Sequence, residues 1–127
     1  MTNRIIRTPG QIPRLPGAAR VGDLVFTSGL ISPSAAAAAP GEVVPFAQQA
    51  RETLAEMKRI LGEIGASTDD VVRVEAYLAR REDFAEWNDQ YNAVFPEVGP
   101  ARITLVTAFA SEAYLLEIQA TAVSAGP

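Results

Sequence analysis

Phe46, Ala50, Leu54, Met57, Leu61 and Ile64 recur at steps of four and three, and no other feature of this chain limits its fold so strongly. The spacing predicts one amphipathic helix over residues 46–64, with Gln49, Glu52, Glu56, Arg59 and Glu63 largely on the other side. Gly65 reads as its C-terminal stop, where a left-handed residue is needed. Met57 falls on the apolar stripe and reads as core packing.

The flanking runs have strand character. Residues 4–7 suggest a short edge strand, and the prolines of Pro13-Arg14-Leu15-Pro16-Gly17 then mark a loop. Residues 18–21 and 24–29, joined through Gly22-Asp23, carry the signature of a hairpin. Gly29 permits a bend or a close approach there. The alanine-rich segment 33–41 sits between prolines and is too short to hold a helix alone, so it is expected as surface loop. Residues 71–78 read as a strand with Val72, Val74, Ala76 and Leu78 on one face and Arg73, Glu75 and Tyr77 on the other. A second helix is expected over residues 84–95, opened by Glu82-Asp83. Its Phe84, Trp87, Tyr91 and Phe95 form an aromatic stripe suited to core or interface. Asn88 lies mid-helix, where that residue gains little, which hints at a specific hydrogen bond. Two closing strands, 101–109 and 114–123, complete the order β-β-β-α-β-α-β-β. Two helices can cover one face of a six-stranded mixed sheet, so the fold class is α+β, a two-layer sandwich within one domain, 1–127. The opposite sheet face would remain partly apolar, as oligomer interfaces are.

Two charges stand out in the closing strands. Arg102 shares a strand face with Thr104 and Val106, and Glu117 shares one with Leu115, Gln119 and Thr121. With Ala110-Ser111-Glu112-Ala113 as a hairpin connection, the two strands would be neighbours and both charges could reach one pocket. There they would hold a small carboxylate and handle a proton. Local sequence leaves a second reading open, in which both are solvated charges or a weak ion pair.

Composition removes many other chemistries. The chain has neither His nor Cys, so it has no Ser-His-Asp triad, imidazole or thiolate metal ligand, disulfide or thiol nucleophile. Proton transfer must use carboxylates, Tyr, Lys, Arg or water. Lys58 is the one lysine among eleven cations and sits with helix-surface residues, which disfavours Schiff-base chemistry. A net charge of −4 and a pI near 4.8 argue against a nucleic-acid partner. No apolar run is long enough to span a membrane, and residues 1–7 lack the apolar core of a secretory signal, so a cytoplasmic location is expected.

The ordered set of short motifs resembles the Rid family of reactive-intermediate deaminases, also called the YjgF or endoribonuclease L-PSP family. The likeness is carried by Val21-Gly22-Asp23-Leu24-Val25-Phe26-Thr27-Ser28-Gly29, by Gln49-Ala50-Arg51-Glu52-Thr53-Leu54 with Ile60-Leu61-Gly62-Glu63-Ile64-Gly65-Ala66, and by Asp69-Asp70-Val71-Val72-Arg73-Val74. It continues through Asp83-Phe84-Ala85-Glu86-Trp87-Asn88-Asp89-Gln90-Tyr91, Pro100-Ala101-Arg102 and Leu116-Glu117-Ile118-Gln119-Ala120.

The resemblance implies a chorismate-mutase-like fold, a homotrimeric barrel with sites between subunits, and hydrolysis of 2-imino or 2-enamino acids to 2-keto acids and ammonia without cofactor or metal. It assigns Arg102 to the substrate carboxylate, a role that suits the planar guanidinium fork, and Glu117 to the hydrolytic water and the imine proton. It places Ser28, Asn88 and Thr104 beside the substrate. Three departures stand against the family pattern: the region Pro13-Arg14-Leu15-Pro16-Gly17-Ala18 where an aromatic often follows proline, Leu30 where Gln is common, and Ala110-Ser111 in place of Leu-Pro. The first two motivate an alternative, a trimer that binds keto acids or related metabolites without turnover. The ribonuclease activity in the older family name is the weakest reading, given the acidic pI and the lack of His.

Overall fold

The computed structural model describes residues 4–125. Met1, Thr2 and Asn3, the start of the stretch read for a leader, lie outside the described residues. The elements run β1 (Ile5–Pro9), β2 (Pro16–Val21), β3 (Leu24–Thr27), α1 (Pro33–Ala36), α2 (Phe46–Glu63), β4 (Val71–Leu78), α3 (Phe84–Val94), β5 (Ala101–Val106) and β6 (Leu116–Val123). The fold is α+β, with one mixed six-stranded sheet in the order β1-β2-β3-β6-β4-β5 and two main helices over one face.

The helix stripe does what its spacing requires. Phe46, Ala50, Leu54, Met57, Leu61 and Ile64 are all buried, as are Val25, Val74, Ala76, Leu78, Leu116, Ile118, Ala120 and Ala122 from the sheet below them. Burial of that apolar surface is the main stabilising term, at ~25 cal/mol per Å². α2 ends as expected: Gly65 has φ +83° and Ala66 N–H donates to the Leu61 carbonyl at 2.8 Å. Buried Arg20 reinforces that end, its Nε and Nη2 donating to the Ile64 carbonyl at 3.1 and 2.8 Å. Its Nη1 reaches the carbonyls of Gly22 at 3.2 Å and Ser124 at 2.8 Å.

Several expectations need correction. The closing strands do not form a hairpin. β5 runs parallel to β4, with Val74 opposite Arg102, while β6 lies antiparallel between β4 and β3. The reason is α3, which crosses back over the sheet and returns the chain beside β4 in the same direction, as a βαβ unit requires. Residues 107–115 therefore lead from the sheet edge to its interior, and β5 and β6 are shorter than 101–109 and 114–123. Val72 does not join the core face: the ladder slips between Val71 and Arg73, so Val71 is buried and Val72 exposed. Phe84 is exposed at the start of α3, leaving Trp87, Tyr91 and Phe95 as the buried aromatic run.

The alanine segment is not wholly loop. Residues 33–36 form α1, because Ser32 Oγ accepts from Ala35 N–H at 3.1 Å and Pro33 opens the turn. Glu52 of α2 anchors it, accepting from Ser32 Oγ and Ser34 Oγ at 2.8 Å each, from Ser34 N–H at 3.0 Å and from Gln48 at 2.8 Å. Leu30 is a core residue: it is buried, and its N–H and carbonyl pair with Ile118 at 2.7 and 3.1 Å.

The sheet face away from the helices is uncovered. Leu24, Phe26, Ile103, Leu105 and Val123 are exposed large apolar residues. The ladder places them on that face, with Arg73, Glu75, Tyr77, Glu117 and Gln119 among them.

Candidate functional site

Arg102 is the second residue of β5, opposite Val74, and paired residues share a face, so its side chain lies on the helix side of the edge strand. Two residues of α3 fix it. Nη2 donates to Asn88 Oδ1 at 2.8 Å, and the guanidinium lies 4.7 Å from the centroid of the Tyr91 ring. The suspected hydrogen bond of Asn88 is therefore to Arg102. Tyr91 packs in turn against Trp87 and Phe95, with ring centroids 5.5 and 4.9 Å apart. Burial raises the Tyr91 phenol above its ordinary pKa, with the nearby Arg102 charge opposing the rise. It therefore stays neutral and offers its ring face. Sequence reading placed Tyr91 in a stripe suited to core or interface; its place one helical turn after Asn88 was the available signal for its contact with Arg102. No carboxylate pairs with Arg102 among the described residues, so its side chain is oriented and its charge is uncompensated.

Thr104 follows on the same face of β5, opposite Ala76. Its hydroxyl oxygen is buried and has no hydrogen-bond partner among the described residues.

Glu117 occupies the other face. It pairs with Tyr77 on β4, and its neighbours Leu116 and Ile118 are both fully buried towards the helices. Its carboxylate lies over Gly29: a Cβ at that position would collide with Oε2 and fall 3.0 Å from Cδ. Gly29 thus serves a close approach, as its type suggests. Ser28 holds this segment in place, its Oγ donating to the Pro16 carbonyl at 2.6 Å and its N–H to the Gly17 carbonyl at 2.9 Å. That hydroxyl proton is engaged by backbone. Burial pushes the Glu117 carboxyl above its ordinary pKa, and no hydrogen bond or ion pair engages it among the described residues. Nearby, Tyr77 donates to Glu75 at 3.0 Å and Arg73 pairs with Glu75 at 3.4 Å. Arg73 is thus already matched to another acid.

The predicted residues therefore fall into two groups. Arg102, Asn88 and Thr104 lie together on the helix side of the edge strand; Glu117 lies beside Gly29 and Ser28 on the uncovered face. Two strand spacings, about 10 Å, and the sheet itself separate the groups within one chain. The expected meeting of Arg102 and Glu117 across neighbouring strands of one chain does not occur.

Among the described residues, no helix is long and apolar enough to cross a membrane. Residues 5–124 match the family described as Endoribonuclease L-PSP. The chain is 32% identical to a RutC family protein of Pyrococcus abyssi over 118 residues, covering 91% of each chain. It is also 32% identical over 121 residues, 92% of each, to an Escherichia coli protein named "Putative reactive intermediate deaminase TdcF". Among solved structures, a YjgF family member from Neisseria meningitidis superposes with a TM-score of 0.81 at 30% identity, over 95% of each chain. The chain belongs to the endoribonuclease L-PSP family, known also by the names YjgF and RutC.

Proposed function

We propose that this chain is a cytoplasmic, cofactor-independent deaminase that hydrolyses small 2-imino or 2-enamino acids to 2-keto acids and ammonia. One observation carries the reading. Arg102 is a guanidinium oriented by Asn88 and Tyr91 with no anion of its own, which suits a bidentate grip on a substrate carboxylate. The named function of the Escherichia coli relative supports the same chemistry.

Glu117 supplies the proton transfers. It takes a proton from the attacking water as oxygen adds to C2 and passes it to the imine nitrogen, giving a carbinolamine; it then takes the hydroxyl proton and delivers it to the amine, so that the C–N bond breaks and ammonia leaves as the carbonyl forms. Its raised pKa suits a carboxylate that must both accept and donate near neutral pH. Because the two groups occupy opposite sheet faces in one chain, the complete site lies between copies, Arg102 from one and Glu117 from the next, in a homotrimer. The uncovered apolar face provides surface for that association.

The test pairs two inactive variants. Arg102→Ala and Glu117→Gln should each abolish keto-acid formation from an imine generated by an amino-acid oxidase. Mixed and reassorted as trimers, they should regain about a quarter of wild-type activity, because one site per mixed trimer is intact. Full activity in Arg102→Ala rules out the clamp, and no recovery on mixing rules out the shared site.

A further inference from the structure

Among the described residues, one residue other than glycine has a positive φ: Arg14, at +76°. It is the third residue of the turn Ile12-Pro13-Arg14-Leu15, closed by Leu15 N–H donating to the Ile12 carbonyl at 3.2 Å. Proline second and a left-handed residue third make a type II turn, whose third position favours glycine. An arginine there strains the backbone, and strain of this kind collects where ligands bind. Nothing within the chain offsets it through the side chain. Arg14 is exposed, and no hydrogen bond or ion pair engages its guanidinium among the described residues.

Two ties set where this turn stands. The Pro16 carbonyl accepts from Ser28 Oγ at 2.6 Å, and the Gly17 carbonyl from Ser28 N–H at 2.9 Å. Gln11 clasps Ile31: its Nε2 donates to the Ile31 carbonyl at 2.7 Å, and its Oε1 accepts from Ile31 N–H at 3.1 Å. Gly29, against which the Glu117 carboxylate lies, falls between Ser28 and Ile31. The loop from Gln11 to Pro16 is therefore fastened on both sides of the Glu117 position, with Arg14 between the fastenings. Gly10 belongs to the same closure, because a Cβ there would collide with the Leu15 carbonyl.

Arg14 is also open to a ligand. Together with Arg7, Gln11, Leu15 and Pro16 it lines an open recess of about 530 Å³ that has no carboxylate among its lining residues. Arg7 pairs with Ala19 and Ala19 with Phe26, so Arg7 lies on the uncovered face, the face of Glu117. Arg7 has no ion-pair partner among the described residues either. Two free guanidinium groups thus border one opening beside the proton-transfer group. In a chain of net charge −4, that local excess of positive charge suits an anion.

We infer that Arg14 is a specificity-determining residue that takes a second carboxylate, so that 2-imino dicarboxylic acids are preferred to monocarboxylic ones. The inference rests on the deaminase reading with its shared site. Arg102 of one copy grips the carboxylate next to the imine, and Arg14 of the copy that supplies Glu117 meets the distal one. A planar guanidinium pairs with a carboxylate through two hydrogen bonds, a gain that a monocarboxylic ligand forgoes. The strained turn and its two ties hold the charge in place before the ligand arrives, which lowers the ordering cost of binding.

The test sets imines generated from aspartate and glutamate against those from alanine and 2-aminobutyrate, on wild type, Arg14→Gly and Arg14→Lys. Binding is read separately, as the shift in melting temperature caused by 2-oxoglutarate and by 2-oxobutanoate. Wild type should favour the dicarboxylic imines about tenfold in kcat/KM, and 2-oxoglutarate should give the larger shift. Both differences should shrink as salt is raised. Arg14→Gly should lose about tenfold on the dicarboxylic imines and far less on the others. It should melt no lower than wild type, because glycine fits the turn. Arg14→Lys should keep part of the preference. Turnover without dicarboxylic preference in wild type, a preference that survives in Arg14→Gly, or equal losses on both classes overturns the role of Arg14 and leaves the deaminase reading standing. If wild type turns over no imine while 2-oxoglutarate stabilises it only when Arg14 is present, the deaminase reading falls and the anion contact stands. Neither turnover nor stabilisation sinks both.

Discussion

Glu52 and Glu117 are both part-buried carboxylates on regular elements, and their surroundings drive them in opposite directions. Burial raises Glu52 too, but donors from Gln48, Ser34 and Ser32 outweigh it and hold the carboxyl at about 2. Glu117 meets the same desolvation with no donor to offset it, and its pKa rises. Two arginines repeat the contrast. Arg20 directs Nε, Nη1 and Nη2 into backbone carbonyls, whereas Arg102 has one amide and one ring face. The first member of each pair is satisfied by the fold. The second is held in position and left incomplete, which is the condition of a group that meets a ligand.

Five measurements sharpen or break that division. Glu117→Gln carries the largest expected effect, a loss of about 10²–10⁴-fold in kcat with little change in melting temperature. In wild type the acid limb of kcat/KM should lie above 4.5, the ordinary carboxylate value, because the raised group must be deprotonated to act as base. A large drop in stability would instead place Glu117 with Glu52. Arg20→Ala should cost about 3 kcal/mol, read by denaturant unfolding, because it strands the carbonyls of Ile64 and Ser124; near-neutral stability would remove Arg20 from the satisfied class.

Gly29→Ala should lower kcat about tenfold while leaving the fold intact, since the new Cβ displaces a side-chain carboxylate and not backbone. The smallest effect concerns Glu52. Its folded pKa is depressed, so between about 4.5 and about 2 the unfolded chain binds more protons than the native one. Its contribution is present above 4.5 and is lost as pH falls towards 2. Thermal melts of Glu52→Gln should therefore show a shallower acid slope than wild type, by a few degrees across that window.

The sequence made helix α2 legible because its stripe repeats through five turns, and it made the faces of β5 and β6 legible because alternation is local. Neighbourhood was not legible. Nothing in Ala101–Val106 says that its partner is Val71–Leu78 and not Leu116–Val123; that follows from α3 returning the chain in parallel. The slip at Val72 was hidden because Val71 and Val72 are equally apolar and only the ladder decides which one turns inward. α1 was missed because its support comes from Glu52, eighteen residues after Ser34. Arg102 and Glu117 stood out as charges in strand patterns, Asn88 as a polar residue mid-helix and Thr104 through the resemblance, but their division between two sheet faces required the observed pairing.

That division has a consequence for how the protein behaves when scarce. If the proton-transfer group and its anion clamp meet only where copies join, specific activity becomes a function of protein concentration. Below the dissociation midpoint of the assembly, turnover per chain would fall towards nothing while each chain kept its fold, so dilution alone would silence it.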